Sequence, residues 1–421
     1  MSARLGFVLF VALAALFLFV NRDAYRGYFQ DDEIDNLSWV GYGPASEYLK
    51  AALSPKFERY NFRPVGHFYF RESERFFGLD FPRYVAALHV IHLVNVWLLW
   101  MIARRLGAGR FAAAAGCVFF AFHMALFDAV WKPMYVFDLL CATLCLASLL
   151  LYARGQWILS LVSFWLAYKA KEMAVMLPLV LACYEMWFGK RRWERLAPFF
   201  AVSLSFGIQG LLMNPNHDND YTFRFTPAAL AKTGRFYAAR VFLVPYLGFV
   251  LPVMALAARN RRAWFGLAAM AAFFFPLLFL PGRLFSAYCY VPFTGLAMAF
   301  SGIAEAVSPA GVVLFFLLWI PQDVHWFRLQ RRETLARDAQ IREWMTTLAA
   351  YAKSGERVDA FVFDGAPPGF ARWGVEGAVK YLFHRLDAKV QSASDAERPA
   401  GRVALLRWDV AESRLHIETL Q

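Results

Sequence analysis

Four acidic side chains fall within five positions at Asp31, Asp32, Glu33 and Asp35, directly after Tyr28-Phe29-Gln30. Like charges this close raise one another's pKa, which suits one of them, Asp31 or Asp32, to act as a general base or to join a metal site; the plain alternative is a solvated turn that lets them spread apart. Basic residues occur in equally unusual settings. Arg63 sits in the rigid, aromatic stretch Asn61-Phe62-Arg63-Pro64-Val65-Gly66-His67, where it can pair with the acids or grip a phosphate bidentately. Lys171-Glu172 opens an apolar run that reaches Leu177-Pro178; a lysine there suits a phosphate or pyrophosphate at a lipid surface, or is simply a snorkelling side chain. The stretch His123 to Pro133 contains Asp128 and Lys132, and Asp138 lies inside the apolar run that follows. An acid in such a run is costly, so Asp138 is either functional or the structural partner of Lys132. Arg283 and Tyr288 lie in Pro281 to Pro292; the tyrosine reads as an interfacial ring.

These groups must be held by something other than a water-soluble fold. Of 421 residues, 59% are hydrophobic and 18% aromatic, more apolar surface than such a fold can cover. The net charge of +12 comes from Lys and Arg in short runs between apolar stretches, a pattern of cytoplasmic loops and not of nucleic-acid binding. Cys117, Cys141, Cys145, Cys183 and Cys289 show no metal-ligand spacing and read as small buried hydrophobes. The run from Leu5 to Val20 is followed by Asn21-Arg22-Asp23, no small-residue cleavage site, and reads as an uncleaved first span.

Apolar runs of membrane-crossing length predict an α-helical polytopic protein with about eleven spans, near residues 5–20, 84–103, 111–127, 135–153, 157–169, 172–188, 196–213, 236–257, 263–280, 287–304 and 311–327. With the N-terminus inside, the basic turns Arg104-Arg105, Arg154, Lys190-Arg191-Arg192 and Arg259 to Arg262 all return to the cytoplasm. Reading Trp157 to Phe188 as one tilted helix would put the Lys190 cluster outside, so two short helices are expected there. On this count the residues able to do chemistry gather on the extracytoplasmic side, in a long first loop from Asn21 to Arg83 and three shorter turns. The polar segment Asn214 to Asp220, with His217, reads as a solvated loop, and His89 and His92 as packing residues. Residues 1–327 form the expected transmembrane domain and 328–421 a small α/β tail, extracytoplasmic by the same count: a charged helix over Arg328 to Ala352, strands at Val358–Phe363 and Val403–Trp408, and a turn at Gly365 to Gly369.

Taken in order, these motifs resemble the multi-spanning, mannosyltransferase-like proteins of the glycosyltransferase-C superfamily, including the protein O-mannosyltransferase group and the group with tetratricopeptide repeats. The resemblance is densest from Phe29 to Gly189. It rests on Asp31-Asp32 with Glu33, Phe62-Arg63-Pro64, His92-Leu93-Val94-Asn95 before Arg104-Arg105, His123 with Asp128-Ala129-Val130-Trp131, Phe137-Asp138-Leu139-Leu140, Lys171-Glu172 with Leu177-Pro178, and Arg283 to Pro292. Met124 stands where those proteins carry a proline, and the tail has no tetratricopeptide period.

The resemblance implies an inner-membrane glycosyltransferase that takes a sugar from a polyprenyl-phosphate donor and passes it, with inversion, to an extracytoplasmic acceptor. Asp31 or Asp32 is then the base. Glu33, Arg63, His123, Asp128, Asp138, Lys171, Glu172, Arg283 and Tyr288 bind substrate, with Arg63, Lys171 and Arg283 on the phosphate. No cofactor is required, although the acids leave room for a divalent cation. A transporter or flippase, with Asp138 on its route, and a non-enzymatic scaffold are the competing readings.

Overall fold

A computed structural model describes residues 3–56, 62–213, 219–395 and 399–420; Asn61 of the aromatic-Arg-Pro motif and His217 with its neighbours at 214–218 lie outside the described residues. Six helices are long and apolar enough to cross a membrane: Phe81–Arg105, Pro133–Ala153, Trp193–Met213, Arg261–Phe279, Ser286–Ala306 and Pro309–Lys353. Two bent pairs, Arg110–Ala121 with Met124–Trp131 and Pro227–Phe242 with Leu247–Ala258, raise the count to eight if each is one span. Gly6–Val20 and Trp157–Ala170 are shorter apolar helices, and Leu177–Trp187 is shorter still. Most expected spans are therefore helical in their core, but 236–257 is broken at its middle, over residues 243–246, where the chain bends by 81°; six to eight, not eleven, have the length and composition of a crossing. Pro178 and the turn at Lys171 divide Trp157 to Phe188 into two short helices, as span parity required.

At the centre of the bundle lies Ser286–Ala306, almost wholly buried. It meets the helix Arg261–Phe274 through glycines: a Cβ on Gly302 would come within 2.3 Å of the Ala263 amide nitrogen. Such close backbone contact substitutes for the hydrophobic drive that lipid cannot supply between helices.

The stretch expected as a long loop is instead folded into helices Asp31–Val40, Ala45–Leu53 and Pro64–Phe77. Prolines and glycines at 41–44 and 64 cut it into pieces too short to resemble spans, and Pro64 is tolerated because it occupies the first helical turn. One long helix braces this layer. Pro309–Lys353 has 45 residues, a length of about 68 Å at 1.5 Å per residue, and it runs unbroken through the domain boundary expected after Phe327. On its polar half Asp338 accepts the Tyr28 amide at 3.0 Å and the Gln30 side-chain amide at 2.8 Å. Arg331 pairs with Asp23 at 3.0 Å, and Arg342 donates to the Gly27 carbonyl at 2.6 Å.

The remainder of the tail is a four-stranded sheet in the order β2-β1-β3-β4, with β1 Ala360–Asp364, β2 Lys389–Ser392, β3 Val403–Asp409 and β4 Arg414–Leu420. β1 is parallel to β2 and β3, whereas β3 and β4 form an antiparallel hairpin. Both expected strands are present within a residue or two, and β2 and β4 are additional. The helix Arg372–Leu382 connects β1 to β2 and lies directly on Asp31–Val40. Its Gly377 allows this, since a Cβ there would meet the Asp35 Cα at 2.8 Å and the Asp35 amide nitrogen at 2.9 Å.

Because those obstructing atoms are backbone, Gly377→Ala should destabilise the tail by about 1–3 kcal/mol through overpacking. Limited proteolysis of detergent-solubilised protein should show faster cleavage within residues 355–420, and a digestion rate equal to wild type would refute tight docking.

Candidate active site

The acid run opens the helix Asp31–Val40, and its members point to different places. Glu33 is buried, accepting the Gln30 amide at 2.9 Å and the Met134 amide at 3.0 Å. It therefore closes its own helix N-terminus and ties that helix to the bundle. Burial, reinforced by the neighbouring Asp32 charge, pushes its carboxyl up to about 7 against the pull of those two amides. Asp31 lies under the tail helix, where a Cβ on Gly374 would come within 2.9 Å of its Cα; burial raises its carboxyl above the ordinary aspartate value, against the pull of the Ala371 backbone and of Arg337. Asp35 also lies under the tail helix, with Lys380 as its nearest cation. Asp32 alone of the four is exposed. Its Oδ1 accepts the indole N–H of Trp373 at 2.8 Å.

Close by, the basic residues singled out in the sequence form one connected cluster. Lys171 bonds both oxygens of Asp138, at 2.6 and 2.7 Å, and Asp138 is 1% exposed. Arg63 donates its Nε–H to both oxygens of Glu172, at 3.0 and 3.1 Å. The two pairs are adjacent in the chain at 171–172 and are joined again by the Arg63 guanidinium, which lies 5.5 Å from the centre of the Phe137 ring. Gly66 makes room for that ring, because a Cβ there would reach it at 2.0 Å. His67 fixes Arg63 from the other side, its Nδ1 accepting the Arg63 amide at 2.9 Å. Burial, with the Arg63 charge adding to it, lowers His67 to about 3, so this ring is neutral and able to accept.

From Lys171 the cluster continues outward. Its ammonium lies 4.6 Å from the centre of the Tyr288 ring, and Tyr288 accepts an N–H from Arg283 at 3.0 Å. The Arg283 guanidinium sits 4.4 Å over Tyr221 and 4.6 Å over Phe285, within the electrostatic reach of Asp32. Arg283 makes no ion pair among the described residues, and Arg63 uses only Nε, leaving its two terminal nitrogens without a protein acceptor among them.

Two expected ligands are placed differently. His123 is buried; its Nδ1 accepts the Ala125 amide at 3.1 Å and caps the short turn that follows, while its Nε2 lies 3.0 Å from the Val241 carbonyl of another helix, so both ring nitrogens are occupied. Asp128 pairs with Lys132 at 2.7 Å, one helical turn away, so the lysine considered for Asp138 is engaged locally. Asp128 and Asp138 nonetheless share a neighbour in Tyr135, whose hydroxyl lies in the field of both. As to a divalent cation, the acids at 31–35 diverge. Among the described residues the convergent set of possible ligands is the half-buried Asp409 with the exposed Glu412 and His416 on the β3–β4 hairpin. Sequence reasoning missed Trp373, Tyr221 and Phe137, none of which carries a local signal beyond being aromatic.

No protein-family model matches the chain, and no curated protein sequence matches it. Solved structures do. The crystal structure of ArnT from Cupriavidus metallidurans bound to undecaprenyl phosphate superimposes with a TM-score of 0.55 at 17% identity, over 96% of this chain and 94% of that one. Its apo state gives 0.54 at 14% identity, over 96% and 93%. The cryo-EM structure of arabinofuranosyltransferase AftD from Mycobacteria gives 0.52 at 15% identity, over 93% of this chain but 32% of AftD. At these identities the likeness is one of fold.

Two outcomes follow from the geometry. Lys171→Met should cost about 3–5 kcal/mol by leaving a buried carboxylate unpaired, and adding Asp138→Leu should recover most of it; a double variant no more stable than the single one in detergent thermal unfolding would refute the pairing. For Glu33 the folded-state carboxyl lies at about 7 against an ordinary 4.5. Its favourable contribution is complete below 4.5 and is lost as pH rises through about 7. Between about pH 5 and about pH 8, the unfolding midpoint of wild type should therefore fall further than that of Glu33→Gln; parallel curves would refute this.

Proposed function

We infer, from a chain that carries the glycosyltransferase-C fold, that this membrane protein transfers a sugar from a polyprenyl-phosphate donor to an acceptor hydroxyl on the extracytoplasmic side. The observation that carries the reading is an exposed carboxylate, Asp32, within electrostatic reach of an arginine, Arg283, that makes no ion pair among the described residues. A base and an uncommitted cation are what a single displacement at an anomeric carbon requires. Asp32 takes the proton of the acceptor hydroxyl as its oxygen bonds to the anomeric carbon. The bond from that carbon to the phosphate oxygen breaks, its electron pair leaves on the polyprenyl phosphate, and attack opposite the leaving group inverts the centre.

Arg283 and the terminal nitrogens of Arg63 meet the departing phosphate, where preorganised cations stabilise charge that develops in the transition state. Lys171 is the less available cation, because Asp138 holds it at 2.6 Å; its part is to keep the cluster neutral and in place. Asp138, closed off by that pair, is a positioning group for Lys171 and no longer a step on a transport route. Asp128 and Tyr288 line the approach on which sugar hydroxyls would lie. Asp31 and Glu33 belong to the docking of their helix and leave Asp32 as the base.

The test is transfer of labelled sugar from a panel of undecaprenyl-phosphate hexoses and pentoses in membranes containing equal amounts of each variant. Asp32→Asn should lower transfer by about 10²–10⁴-fold, and Asp31→Asn should lower it far less. The reverse order would exchange the two roles, and full transfer by the Asp31→Asn/Asp32→Asn double variant would remove the acid run from the reaction.

A further inference from the structure

The tail sits on the helix that carries Asp32, and it does so with one side chain aimed at that carboxylate. Trp373, the second residue of the helix Arg372–Leu382, donates its indole N–H to Asp32 Oδ1 at 2.8 Å. The ring is 51% exposed, so core burial does not explain its position. Several independent contacts fix where it stands. A Cβ on Gly374 would lie 2.9 Å from the Asp31 Cα and one on Gly377 2.8 Å from the Asp35 Cα, and Asp338 on the long helix holds Tyr28 and Gln30 just before the acid run. Oδ2 of Asp32 has no protein donor among the described residues, so the indole holds one oxygen and leaves the other for a proton.

We propose that Trp373 is a positioning residue for the Asp32 base, and that the C-terminal tail thereby forms a wall of the active site and not an appended module. This deepens the transferase reading and rests on it. An N–H bond to an ionised oxygen is among the stronger hydrogen bonds and is directional. It restricts Asp32, otherwise free to rotate on an exposed helix turn, to orientations in which Oδ2 faces the acceptor. A general base must hold its reacting oxygen within hydrogen-bond reach of the proton it removes, and a small displacement there is costly in rate. The effect falls on the chemical step and not on donor binding, which is the task of Arg63 and Arg283 on the other side of the site.

Trp373→Phe keeps the ring and removes only the donor. On the undecaprenyl-phosphate sugar that wild type uses, its kcat should fall about tenfold with the donor KM and the thermal midpoint unchanged. In an Asp32→Asn background the same change should have no further effect on residual transfer, because the carboxylate it orients is gone. A kcat within twofold of wild type overturns the proposal, as does an equal loss in both backgrounds, the mark of a merely structural tryptophan. If Asp32→Asn itself transfers normally, the base assignment fails first and the proposal with it. Independently of any donor, protein labelled with ¹⁵N at its indoles should show the Trp373 peak, identified by its absence from Trp373→Phe, displaced by Asp32→Asn; an unmoved peak overturns the hydrogen bond.

Discussion

A carboxylate with 1% of its side chain exposed, set in the first turn of an apolar helix, does not stay ionised without a cation at contact distance. Asp138 and Lys171 meet this constraint at 2.6 Å, and the arrangement around them follows from it. Lys171 must enter from the turn between two short helices, which puts Glu172 beside it, and Glu172 draws Arg63 to within 3.0 Å. Arg63 can come that close because the helix beginning at Pro64 presents Gly66 to the Phe137 ring, one residue from Asp138. Two of each charge thus share one end of the bundle with a net of zero, and beside them Arg283 makes no ion pair among the described residues. Arg283 is held instead by the faces of Tyr221 and Phe285, at 4.4 and 4.6 Å.

The second organising element is the helix Pro309–Lys353. Its apolar half runs along the outside of the bundle, mostly exposed, and its polar half stands beyond it, where Asp338, Arg331 and Arg342 fasten the segment leading into the acid run. A surface loop held by backbone hydrogen bonds at Tyr28 and Gly27 has few conformations left. The four acids are therefore not an adaptable cluster. Each is committed by a different neighbour: Glu33 by Met134, Asp31 by the tail backbone, Asp35 by the close approach of Gly377, and Asp32 by a single indole.

Much of this was legible in the sequence. Apolar runs and basic turns locate the helices because desolvation and the positive-inside bias act on composition alone. Arg63, Lys171-Glu172, Asp138 and Arg283, chosen as charges in the wrong surroundings, do come together. The partner of each charge was less accessible. Lys132 is nearest to both Asp128 and Asp138 along the chain, and helical spacing gives it to Asp128, while the true partner of Asp138 lies 33 residues on. The helices at 31–40, 45–53 and 64–77 were hidden because they are short and interrupted, so their periodicity is too brief to read. His123 shows the opposite error, a residue with the look of a ligand that caps a turn. Trp373 had no signal at all, since its meaning depends on a contact 341 residues away.

That separation bears on how the protein is made. The helix that carries Asp32 leaves the ribosome 341 residues before the tryptophan that contacts it. Contacts of such high sequence separation form late, so until the helix Arg372–Leu382 is made and docked the bundle exists with its acid run uncovered. Assembly of this layer then waits on the tail: a chain that has not yet reached it holds the Arg63, Lys171 and Arg283 cluster but not the indole that meets Asp32.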